Sequence, residues 1–301
     1  MRDFRDSCPL YTRPESSTPT LTIIIGLPAA GKTTIAHRIT DNNTVIMSSD
    51  ENRARFHLKN GQSVIYDATN INSRRRAEFL NSVANIQCTK VALCVMTPIE
   101  ACIEQNKTRE QSVPDETIQR MYRSWNPPSY LEGYNEIRFE FPKYNIRKYN
   151  LYDLFYGVNG MVYFDQESKH HSMTLGNHCL KTFLMIKDKF PDYDNLQYAA
   201  LLHDIGKTKT KTFLNADGSA KDSEAHYYYH SAVGAYESCF YLKTKNVPDS
   251  DISYIANLIY YHMRPRFEWK DKDKERRDCL IVGERAQKDV YRLHYADISS
   301  H

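Results

Sequence analysis

Gly26-Leu27-Pro28-Ala29-Ala30-Gly31-Lys32-Thr33 has the spacing G-x-x-x-x-G-K-[ST], and its flanks decide how it is read. Before it runs Leu21-Thr22-Ile23-Ile24-Ile25, a β-branched stretch that reads as a buried strand. After it Thr34-Ile35-Ala36-His37-Arg38-Ile39 reads as a helix start. Strand, glycine loop and helix in that order make a phosphate cradle. Glycines let the backbone turn tightly and bring N–H groups to an anion, and the helix N-terminus adds a favourable dipole. Contacts to a nucleoside triphosphate are expected along Gly26, Pro28, Ala29, Ala30, Gly31, Lys32, Thr33 and Thr34. Lys32 reaches the β- and γ-phosphates in such a loop, and Thr33 holds Mg²⁺. An accidental glycine-rich turn matches the pattern in very roughly one chain of this size in a hundred, and the flanks lower that further.

Outward from the loop, 301 residues are enough for two domains. Hydrophobic residues make up 41%, enough for packed cores, and the net charge of +3 is compatible with a polyanionic substrate without arguing for one. Seven cysteines are scattered with no C-x-x-C. That pattern argues for a reducing compartment and against a disulfide framework or a cysteine zinc site. No apolar run approaches the ~20 residues of a membrane span, and the N-terminus is too charged for a signal peptide. A soluble, cytoplasmic protein with no membrane partner is expected.

Residues 1–19, with Pro9, Pro14 and Pro19, read as a loose tail. From 20 to 145, strand signals at 45–47, 64–66 and 91–96 alternate with helical ones at 33–40, 50–58, 73–84, 98–108 and 115–124. Alternation of this kind predicts an α/β unit, a parallel sheet covered by helices, with ligands beyond the carboxyl ends of the strands. Asp50 and Arg53 follow the second strand. A carboxylate there can take the proton of an attacking hydroxyl and an arginine can neutralise phosphate, although Asp50 also suits a helix N-cap. Asp67 follows the third strand and reads equally as a metal neighbour or a turn residue. Arg74-Arg75-Arg76 reads as a solvated helix face. Arg109 sits before a join at Val113-Pro114, a suitable place for an arginine over the triphosphate, although a plain surface arginine is the more common reading of such a position.

The ordered series Gly26–Thr33, Asp50/Arg53, Asp67-x-Thr69-Asn70, Arg109, Val113-Pro114 and Met121-Tyr122-Arg123-Ser124 resembles the phage-type 5′-hydroxyl polynucleotide kinases over about 21–145. The resemblance implies ATP and Mg²⁺ as cofactors and a nucleic-acid 5′-OH as acceptor. It implies Asp50 as general base, Arg53 on the reacting or a neighbouring phosphate, and Arg109 with Lys32 on the transferring phosphoryl group. The aspartate-nucleophile phosphatase motif of the phage enzyme is not found.

Residues 146–166 are rich in Tyr, Asn and Gly and read as a linker, with a possible short hairpin at Gly157-Val158-Asn159-Gly160. From 167 to 301 long helical patterns predict an all-α domain. It carries His178, His203-Asp204, His230, His262 and Asp297, each beside an apolar helical stretch. Buried His and Asp need partners, and a metal supplies them. One such histidine is more often a satisfied core residue; six residues in this order are not easily explained that way. The order, with Leu201-Leu202-His203-Asp204-Ile205-Gly206-Lys207, resembles the HD-domain metal-dependent phosphohydrolases over about 170–300. The resemblance implies His178, His203, Asp204 and Asp297 as core ligands, and His230 and His262 as those of a second ion. One or two divalent transition ions (Mn, Ni, Co, Fe or Zn) are therefore expected, with Lys207 as a candidate phosphate contact. His226, His294 and His170-His171 have no matching position and read as structural or surface. Lys207–Lys211 and the stretch 264–277 are basic enough to touch a nucleic-acid backbone, or are simply solvated.

The two resemblances together imply an end-healing enzyme for broken nucleic acid, RNA by the pairing of its activities. It would phosphorylate 5′-OH ends and hydrolyse 2′,3′-cyclic or 2′/3′-phosphate ends before a separate RNA ligase seals them. The alternatives are a nucleoside or metabolite kinase joined to an HD nucleotidase, and a nucleotide-sensing protein with little turnover.

Overall fold

The computed structural model describes residues 18–48, 51–142, 150–157, 160–167, 173–215, 218–219 and 224–300. Ser49 and Asp50, residues 1–17 and His170-His171 lie outside them. The N-terminal part builds β1 (Thr20–Ile25), α1 (Lys32–Ile39), β2 (Thr44–Met47), α2 (Glu51–Lys59), β3 (Ser63–Asp67), α3 (Ser73–Ser82), β4 (Thr89–Val95), α4 (Ile99–Lys107), α5 (Asp115–Arg123) and β5 (Glu136–Glu140). Among the described residues these strands form one parallel sheet in the order β2-β3-β1-β4-β5. β1 lies at the centre and buries every residue from Leu21 to Ile25, as a strand covered on both faces must. β5 is an edge strand on which only Ile137 and Phe139 are buried.

The arginine run divides three ways. Arg74 pairs with Glu78 on the surface and Arg75 is exposed, but Arg76 is fully buried rather than solvated. Its guanidinium takes both carboxylate oxygens of Glu132 and the carbonyls of Asn70, Asn126 and Pro127. All five donors are used, so burial leaves no unpaired charge. This ties the end of β3 to the loop before β5.

The C-terminal part is helical: α6 (Leu151–Tyr156), α7 (Leu175–Lys189), α8 (Asp194–Leu202), α9 (Lys207–Thr210), α10 (His230–Thr244), α11 (Asp249–Tyr261) and α12 (Lys272–Ser299). The hairpin expected at Gly157–Gly160 falls partly on residues 158–159, outside the described set. Gly157 closes α6, and a 3₁₀ turn follows at Met161–Tyr163. Phe155 and Met161 pack with Leu175, Cys179 and Ile205, so the stretch read as a linker supplies part of a core.

α10 buries every residue from Ala232 to Leu242, the signature of a helix surrounded by protein. One of its neighbours is α5. Tyr236 meets Tyr122 and Trp125 edge to face, and the Tyr122 hydroxyl donates to Glu237 at 2.6 Å. Sheet and helices therefore share one continuous apolar core. Among the described residues no helix is long and apolar enough to cross a membrane.

Candidate functional site

Two constellations stand out. The first lies where β1 ends. Gly31 has φ of 93°, a left-handed conformation that opens the loop into α1, and a Cβ on Gly26 would lie 2.8 Å from the Val95 carbonyl. Pro28 and Ala30 are buried, Ala29 is half-buried with φ of 58°, and Thr34 is exposed on α1. The Lys32 ammonium donates to the Leu27 carbonyl at 2.7 Å. Burial pulls its pKa down to about 8, against the pull of nearby Asp67 and helped by the positive charge of Arg109. Thr33 donates its hydroxyl to Asp67 at 2.6 Å, which places the Asp67 carboxylate beside the phosphate-loop threonine. Asn70 holds β3 against β1 by donating to the Ile24 carbonyl at 2.8 Å.

Beside the loop lies a cavity of about 440 Å³, lined in part by Glu51, Thr69, Asn70, Asn72 and Arg75. Arg53 is exposed on α2, and Arg109 is exposed just after α4. Asp50 falls outside the described residues; its chain neighbour Glu51 lines the cavity.

The second constellation draws on α7, α8, α10, α11 and α12. Two donor sets meet at Asp204. His178, His203, Asp204 and Asp297 form one, and Asp204, His230 and His262 the other, each with its ligand atoms within 4.8 Å of one another. Asp204 divides its oxygens between them. Oδ2 lies 3.6 Å from His178 Nε2 and 3.4 Å from His203 Nε2, while Oδ1 lies 3.4 Å from His230 Nε2 and 3.6 Å from His262 Nε2. The opposite ring nitrogens are all occupied. His203 Nδ1 faces the Ala200 carbonyl, His230 Nδ1 the Tyr227 carbonyl, His262 Nδ1 the Ile259 carbonyl and His178 Nδ1 the Ser300 hydroxyl. Such partners fix ring orientation and turn each Nε2 toward the shared centre, the arrangement metal-binding histidines adopt. Four imidazoles and two carboxylates suit a transition ion pair with a bridging carboxylate, and the residues fit the metal that the sequence implies.

The electrostatics agree. Burial raises the Asp204 carboxyl, but Lys207 and His203 outweigh it and hold it well below the ordinary range. Burial likewise opposes, and bonds from His178 and His203 outweigh, for Asp297, which also ends low. Burial pulls the His203 imidazole down, yet the negative charge of Asp204, with Cys179, outweighs it and carries it well above the ordinary range. His230 is pushed down to about 4, chiefly by burial, and is a neutral donor at ordinary pH.

The centre opens on a cavity of about 490 Å³ whose walls include Tyr227, Tyr228, Tyr229, Arg266 and Phe267. Lys207 lies 2.7 Å from Asp204 Oδ2 and is held by Gln166 at 2.9 Å. Lys209 and Lys211 pair with Glu100 and Glu167, so the lysine cluster is neutralised within the chain. His226, read from the sequence as structural or surface, stacks on Tyr228 in the cavity wall, and sequence reasoning did not single out Gln166 or Ser300, which bond Lys207 and His178. None of the three carries a local pattern; only their neighbours in space identify them. The described cysteines are free thiols outside both donor sets.

Comparison with known proteins matches both halves. The family model described as AAA domain matches residues 52–128, which excludes the phosphate loop itself, and the HD domain model matches residues 171–287. The chain is also similar to L-seryl-tRNA(Sec) kinase of Methanococcus maripaludis, 26% identical over 137 residues that cover 36% of this chain and 53% of the relative. The chain thus spans about half the length of the curated relative it matches.

Proposed function

We propose that the chain is a bifunctional nucleic-acid end-healing enzyme, with a 5′-OH kinase in residues 20–145 and a phosphohydrolase in 167–301. The observation that carries the reading is the pairing of a phosphate loop whose Thr33 bonds Asp67 with a centre whose two donor sets share Asp204. In the kinase reaction the acceptor oxygen bonds the γ-phosphorus of ATP and the bond to the β,γ-bridging oxygen breaks. Mg²⁺ at Thr33 and Asp67 would neutralise charge on the phosphates. The loop's N–H groups and Lys32 orient the triphosphate, Arg109 screens the transferring group, Arg53 takes a phosphate, and Asp50 accepts the acceptor's proton. Phosphoryl transfer depends mainly on such positioning and charge neutralisation.

In the second reaction water hydrolyses a 2′,3′-cyclic phosphate or a terminal phosphate. Divalent ions held by His178, His203, Asp204, His230, His262 and Asp297 would supply water activation and Lewis acidity. Lys207 holds the phosphate, and the tyrosine wall offers flat faces to a base. The relative's name concerns a kinase of an RNA-borne group, which agrees with an RNA acceptor. A cavity of about 440 Å³ also has room for a free nucleoside, which favours the small-molecule alternative as the second reading.

An RNA oligonucleotide bearing a 5′-OH and a 2′,3′-cyclic phosphate tests both halves, given ATP with Mg²⁺ and separately Mn²⁺, Ni²⁺ or Co²⁺. Lys32→Ala is expected to abolish only the 5′ reaction and Asp204→Ala only the 3′ reaction. Phosphorylation of a free nucleoside with neither RNA end altered would replace the reading by the alternative.

A further inference from the structure

We infer that the phosphate loop is held in its binding conformation from the helical half of the chain, through Thr97 and Tyr236, which act as positioning residues for ATP. The inference rests on the loop being a triphosphate site.

Thr97 lies two residues beyond β4 and is fully buried. Its hydroxyl donates to the Ala30 carbonyl at 2.9 Å. In a trans peptide the C=O and the following N–H point in opposite directions. Holding the Ala30 carbonyl therefore turns the Gly31 N–H the other way, and the loop's N–H groups are what grip phosphate. A freed Ala30–Gly31 peptide could rotate, because Gly31 with φ of 93° carries no Cβ to resist it.

Thr97 is in turn gripped by one hydroxyl. Tyr236 Oη donates to the Thr97 carbonyl at 2.7 Å and accepts from the Thr97 N–H at 3.2 Å. Tyr236 is fully buried, and Tyr122 and Trp125 pack edge to face on its ring, so the hydroxyl has little freedom. Tyr236 belongs to α10, the helix that opens with His230. Near that end the backbones of Gly206, His230 and Gly234 are in close contact, which seats α10 on the segment bearing His203 and Asp204. A second tie runs parallel, from Lys209 to Glu100 on α4 at 2.6 Å. The loop is thus braced by the same helix that supplies a ligand to the metal centre.

The test measures affinity of the full-length protein for Mg²⁺-adenosine 5′-(β,γ-imido)triphosphate by calorimetry, together with KM and kcat for ATP and melting temperature. Thr97→Val keeps the shape and removes the donor; affinity should fall about tenfold and KM for ATP rise to match, with a smaller change in kcat. Thr97→Ser restores the donor and should return affinity to within about twofold. Tyr236→Phe keeps the packed ring and should weaken the nucleotide about threefold to fivefold, which also serves if Thr97→Val does not fold. Unchanged affinity in both Thr97→Val and Tyr236→Phe, or a Thr97→Ser variant as weak as Thr97→Val, would overturn the inference. Binding does not depend on the acceptor. A protein that binds nucleotide in this pattern but phosphorylates no oligonucleotide keeps the inference and loses the proposed kinase substrate.

Discussion

In the proposed function, the phosphate loop and the metal centre would hold phosphate oxygens by opposite means. The loop is local: eight consecutive residues, main-chain donors, and one half-buried lysine. The centre is assembled from five helices, with His178 and Asp297 119 residues apart in the chain and 3.0 Å apart in space. Backbone donors need only the right φ and ψ, which glycine supplies cheaply. A buried cluster of imidazoles and carboxylates needs every outer atom satisfied, because an unpaired polar group in a dry interior costs about 1–3 kcal/mol. The loop should therefore be sensitive to backbone geometry and to the charge of one lysine, and the centre to the loss of any partner.

The largest effect that would break this contrast concerns the shared ligand. Asp204→Asn removes the charge common to both donor sets, so bound metal should fall from two ions toward none and hydrolysis by at least about a hundredfold, beyond what one outer partner is worth. Elemental analysis and phosphate release check it; a variant that keeps its metal would show the two sets to be independent. A sharper version removes a residue that touches no ion. Ser300→Ala leaves His178 Nδ1 without its hydroxyl at 3.0 Å, and metal affinity should drop about tenfold to a hundredfold in a chelator titration. Retained affinity would mean that packing alone orients the ring.

The smallest effect belongs to the loop. Lys32 is held down at about 8 by burial, and only its protonated form attracts triphosphate. Affinity should thus be complete below pH 8 and weaken as pH rises through it, by up to about tenfold per unit. Calorimetric titrations between pH 7 and 9.5 test this, with Lys32→Arg as the flat control because a guanidinium stays charged. A wild-type profile as flat as the arginine variant would place the lysine's charge beyond doubt at all pH values and remove the contrast in electrostatics.

Reading the chain without its structure went furthest where information is local. β1, the loop and α1 were legible because a buried strand rich in β-branched residues, two glycines and a lysine fall within fourteen residues. β5 was not foreseen, since only Ile137 and Phe139 are buried and an edge strand with two inward residues gives almost no period. The helices of the second half showed in their apolar spacing, and the six residues that gather around Asp204 in their order. Arg76 was misread as solvated because its five acceptors come from loops 50 or more residues away as well as from Asn70.

The sequence by itself determined the two chemistries: a glycine loop fixes backbone donors wherever it folds, and a His/Asp series marks donor atoms whatever their spacing. Only the tertiary structure decided that Asp204 faces both donor sets, that Gln166 and Ser300 support them, and that Tyr236 reaches across to Thr97 behind the phosphate loop. These are relations between side chains far apart along the chain, and hydrophobic burial of α10 at the centre of a shared core is what brings them within bonding distance.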